Sequence, residues 1–96
     1  MTLYFVQHQH SPDTCPAKNP QMGRMLLQHI SPQNARKFGL SILADAVLDG
    51  KHTFNLIVEA ESVEAVESFM QPFAQAGSVE IHPASHCEIV VERAGC

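Results

Sequence analysis

The dipeptide Asp49-Gly50 stands between two β-favouring runs, LSILADAVL at residues 40–48 and HTFNLIVEA at residues 52–60. Asp-Gly between such runs is among the strongest short-range hairpin signals, because the favoured two-residue turn needs positive φ. The centre of the chain is therefore expected to be an antiparallel pair with a two-residue turn. Every other element has to be arranged around that pair.

Upstream, TLYFVQHQH at residues 2–10 reads as a strand. Alternation puts Tyr4, Val6, His8 and His10 on one face and Leu3, Phe5, Gln7 and Gln9 on the other. The proline-rich stretch SPDTCPAKNP is a loop. Asn19-Pro20 opens a helix with a capping side chain followed by proline, and Met22, Met25, Leu26, His29 and Ile30 carry its helical spacing. Ser31-Pro32 opens a second short helix ending at Gly39. Downstream, Ser62 caps a helix whose apolar stripe is Val63, Val66, Phe69, Met70 and Phe73, with a possible kink at Pro72 and an end at Gly77. SVEIHP, residues 78–83, is a last strand. In the tail, Ser85 and Glu88 have capping-box spacing, which favours a helix ending at Gly95, although Ile89 to Val91 would also suit a strand.

The order β-α-β-β-α-β is the split βαβ, ferredoxin-like pattern. The expected fold is α+β: one domain over residues 1–96, an antiparallel sheet in the order 4-1-3-2, helices on one face and an extra C-terminal helix. The bare sheet face is expected to pair with a second copy, giving a homodimer of the dimeric α/β barrel kind.

Composition narrows the partners. A net charge of −4 with no basic stripe argues against nucleic acid. The first residues lack the basic region of a signal peptide, and no run is long enough for a membrane helix, so a cytoplasmic protein is expected. Three cysteines cannot all pair within the chain, which suits a reducing compartment.

YFVQHQH, the Asp-Gly hairpin and FMQPFAQAGSVEIHPA together resemble the small ferredoxin-like proteins of the dimeric α/β barrel superfamily. In layout they are also similar to a small ferredoxin-like family described as nickel-binding. The resemblance covers residues 2–83 and carries over no ligand. It implies a dimeric fold used for metal or haem handling, for cofactor-free enzymes and for simple binding, so chemistry must come from the residues.

Topology filters those residues. His8, His10, the Cys15 loop and His52 fall at one end of the sheet, and His82 and Cys87 at the other. On a strand, i and i+2 share a face with bases roughly 6–7 Å apart. His8 and His10 can then converge on an ion, with Cys15 as a third ligand and His52 nearby. Such an N/S set suits Ni, Zn, Cu or Fe. The expectation is a transition-metal site of His8, His10, Cys15 and His52 in a small homodimer. The alternatives are a barrel enzyme with His8 or His10 as general base and Tyr4 and Val6 lining its cavity, a haem-binding variant, or a Cys15 nucleophile beside a histidine. The plainer reading is that both histidines line the bare face and hydrogen-bond across a dimer. His29 reads as a partly buried surface residue. His82, His86 and Cys87 are a weaker second cluster, Cys96 is a free end or a ligand reaching a partner, and Met22, Met25 and Met70 read as core.

Overall fold

The computed structural model describes all residues from Met1 to Cys96. In chain order the elements are β1 (Thr2–His10), two 3-10 turns (Pro12–Thr14 and Pro16–Lys18), α1 (Pro20–His29), α2 (Pro32–Lys37), β2 (Leu40–Leu48), β3 (Thr53–Ala60), α3 (Val63–Ala74), β4 (Gly77–Ala84) and α4 (Cys87–Glu92). The strands form one antiparallel sheet in the order β2-β3-β1-β4, the expected order read from its other edge. The architecture is α+β and compatible with a ferredoxin-like fold. No helix is long and apolar enough to cross a membrane.

The helix starts follow their caps. The Asn19 side chain accepts from the N–H groups of Gln21 and Met22, Ser31 from Asn34, and Ser62 from Ala65. Each cap satisfies donors that the first turn leaves unpaired.

The alternation along β1 decides where the core sits. Tyr4, Val6 and His8 are buried against Val58, Leu56 and Phe54, their partners on β3. Val66, Phe69, Met70 and Phe73 of α3 close over them. Tyr4 and Val6 are thus core residues and line no cavity. His8 and His10 share this helix-covered face, so they do not line the bare one: the His8 ring meets Phe73 of α3 edge-on, centroids 5.3 Å apart.

Several local expectations change. The hairpin loop has four residues, Asp49 to His52, because β3 pairs with β2 only from Thr53, opposite Leu48. Gly50 and His52 both take positive φ, 73° and 48°. Lys51 N–H closes the turn on the Leu48 carbonyl at 3.1 Å. α3 ends at Ala74, and Gly77 is instead the first residue of β4, paired with His10. A Cβ there would collide with the Gln9 carbonyl, so the close approach of the two strands requires glycine. The tail is helical, but the Ser85 box does not form. Ser85 Oγ accepts from Arg93 at 3.3 Å, and His86 occupies the cap position without a side-chain bond. The Arg93 guanidinium also holds the carbonyls of Gly95 and Cys96.

Met70 is core, but Met22 and Met25 are 48% and 61% exposed. The reason is that α1 packs against the second 3-10 turn and α2 rather than flat on the sheet. Leu26 and Ile30 of its stripe pack on the core and the His29 ring stacks on Phe69, while Met22 and Met25 do not reach it.

Candidate metal centre

Three elements deliver three donors to one end of the sheet. β1 ends in His10. Cys15 follows on a loop whose path is set by prolines: it closes the turn begun at Pro12, with its N–H on the Pro12 carbonyl at 3.4 Å, and it opens the turn begun at Pro16. The Thr14 hydroxyl ties this loop to the Ala76 carbonyl at 3.4 Å, just before β4. His52 comes from the hairpin, held in the left-handed region that histidine enters more readily than bulkier residues.

The ligand atoms of His10, Cys15 and His52 all lie within 4.8 Å of one another. Donors bound at 2.0–2.3 Å around a single ion stand roughly 3.5–4 Å apart. The group would therefore close by at most about 1 Å to grip an ion. Both ring nitrogens of His10 are buried and have no hydrogen-bond partner. Buried polar atoms are normally paired, and an unpaired one carries a desolvation cost. A metal ion relieves that cost for the nitrogen that bears the lone pair.

Burial favours the neutral form of His10 and of His8. The His10 pKa lies below the ordinary 6.5, first because of burial and then because of neighbouring His8 and His52. The His8 pKa is also lowered by burial, partly opposed by its bond to Ser78. A neutral imidazole is the ligating form, so protons compete weakly for His10 near neutrality.

His8 stands outside the group of three. Its Nδ1–H donates to the Ser78 carbonyl at 2.9 Å, which leaves the lone pair on Nε2. Its ring stacks on that of His10, centroids 5.2 Å apart. The cavity at the site has a volume of about 220 Å³, and Pro16, Leu26, Phe54 and Phe73 form its apolar wall.

No family model and no curated protein matches this chain. A thiol and two imidazoles around an apolar cavity are a donor set for a transition metal, not for calcium or magnesium, which prefer oxygen.

The remaining predicted residues lie apart from this group. His82 bonds Glu80 at 3.3 Å on the uncovered sheet face. Cys87 and Cys96 are exposed free thiols. His29 is a structural residue: its Nε2–H donates to the Phe69 carbonyl at 2.7 Å, its Nδ1 accepts from Asn34 at 3.3 Å, and its ring stacks on Phe69. Sequence reasoning missed that Met22 and Met25 border a second chamber beside the site. The available signal was the polar company of that stripe, Gln21, Arg24 and Gln28, which leaves little apolar width for core packing.

Proposed function

We propose that this chain binds one transition-metal ion through His10, Cys15 and His52, as a small cytoplasmic protein for metal binding, storage or sensing. The observation that carries the reading is His10: an imidazole with both nitrogens buried and unpartnered, set among two further donors within 4.8 Å. His8 supports the site from behind by stacking on His10. Three free thiols suit a reducing compartment.

The working unit in this reading is a homodimer joined through the uncovered sheet face. Phe5 and Ile57 are paired across β1 and β3 there, Ile57 is exposed, and Asn55 beside it carries a buried Oδ1 with no partner. A second copy laid on this face would cover the apolar pair. Native mass spectrometry reads the dimer directly.

Metal analysis of untagged protein, compared with His10→Ala and His52→Ala, tests the site. Near one ion per chain is expected in the parent and almost none in the variants. Equal, near-zero metal in all three overturns the reading.

A further inference from the structure

We infer that the ion held by this site is copper(I), and that it enters through the methionine-lined chamber by way of His8. The inference rests on the metal-binding reading of the same site and adds the identity and route of the ion.

The first argument is charge. Cys15 ligates as a thiolate and is the single anion in the group; His10 and His52 ligate as neutral imidazoles. With a monovalent ion the assembly is neutral. With a divalent ion it carries one uncompensated positive charge against Pro16, Leu26, Phe54 and Phe73. Charge held in such surroundings is costly unless paired. Asp49 is the one carboxylate on the cavity wall, and it is exposed and does not converge with the three donors. The second argument is number and softness. Three protein donors complete the shell of a monovalent d¹⁰ ion, whereas zinc would need water or another fourth ligand in this apolar cavity, and thiolate softness suits copper(I).

The third argument is the chamber. It has a volume of about 260 Å³, carries Met22 and Met25 on its wall, and shares His8, Pro16, Leu26 and Phe73 with the metal cavity. Both methionines are substantially exposed, so core packing does not account for them. Thioethers are soft, uncharged donors that hold copper(I) and discriminate against harder divalent ions. His8 borders both chambers, and the bond from its Nδ1–H to Ser78 leaves the Nε2 lone pair as a donor. The ion passes from thioether to imidazole to the final three donors by ligand exchange, without change of oxidation state. The thiol proton of Cys15 leaves to solvent as its sulfur binds.

The test uses untagged, metal-free, full-length protein under anaerobic conditions. Copper(I) is supplied as its bicinchoninate complex, and zinc(II) and nickel(II) from chromophoric chelators. One copper(I) per chain is expected, with an X-ray absorption signature of two nitrogens and one sulfur. Zinc and nickel should bind at least about a hundredfold more weakly. In the double variant Met22→Leu/Met25→Leu, copper uptake should slow several-fold while the final affinity changes much less, because the thioethers are not among the final donors. Zinc or nickel bound as tightly as copper(I) overturns the copper assignment and leaves the metal site standing. No binding of any of the three ions overturns both. Uptake by the leucine variant at the parent rate overturns the route.

Discussion

The main-chain N–H of His10 donates to the carbonyl of His52 at 3.1 Å, while the two rings meet edge to face with centroids 5.3 Å apart. The backbone bond fixes the spacing of the two imidazoles before any ligand arrives. The site is in this respect preorganised, which lowers the ordering cost of binding.

His10→Ala should abolish metal binding yet leave metal-free stability within about 1 kcal/mol of the parent, because the lost ring makes no hydrogen bond to replace. Urea unfolding in the presence of a chelator measures this. A loss of more than about 2 kcal/mol would show that the ring is chiefly a packing element.

Metal itself should stabilise the parent. An ion that binds only the folded state at a hundred times its dissociation constant adds about 2.7 kcal/mol. Thermal melts with and without ion read the shift, and the His10→Ala melt should not move.

At His52 backbone and ligand roles separate. A left-handed non-glycine residue carries roughly 1–2 kcal/mol of steric cost. His52→Gly should therefore be more stable than His52→Ala by about 1 kcal/mol. Neither variant should hold metal. Equal stability of the two would remove the strain argument.

Acid should destabilise the metal-free protein. The pKa values of His8 and His10 are lowered, chiefly by burial, so below 6.5 the unfolded chain takes up protons that the folded chain refuses. Stability is flat above 6.5 on account of these groups. It falls as the pH drops from 6.5 through the folded-state values. Urea midpoints across that range should show the slope, and His10→Ala should show a shallower one.

Gly77→Ala should cost about 2 kcal/mol or more, since the added Cβ would meet the Gln9 carbonyl and the two strands would have to part. Because Gly77 lies opposite His10, metal affinity should fall with it. Asn34→Ala is the contrasting case. It removes a donor from the His29 carbonyl and ring, at about 1–3 kcal/mol, and should leave metal content unchanged.

Local chemistry made much of the fold readable. Asn19-Pro20, Ser31-Pro32 and Ser62 cap helices as expected, and alternation along β1 groups Tyr4, Val6, His8 and His10 on one face, though it does not tell which face the helices cover. The grouping of His10, Cys15 and His52 at one end also follows from strand order. What escaped depends on contacts between distant segments. Gly77 reads as a helix end until β1 is laid against it. Asp49-Gly50 reads as a two-residue turn because nothing in the dipeptide reveals that His52 will bend into the left-handed region. Ser85 loses its capping role to Arg93, eight residues on. Alternation groups His8 with His10 but says nothing of Ser78, which takes its Nδ1–H.

The β1–β3 register has a consequence for the life of the molecule. His10 and Cys15 are close in the chain, but His52 joins them only when β1 has paired with β3, which itself requires residues up to Ala60. During synthesis an ion would therefore meet no complete site until the chain has passed Ala60 and β1 has paired with β3. Under the proposed function, occupancy would mark that pairing, and a chain that fails to make it would carry no ion.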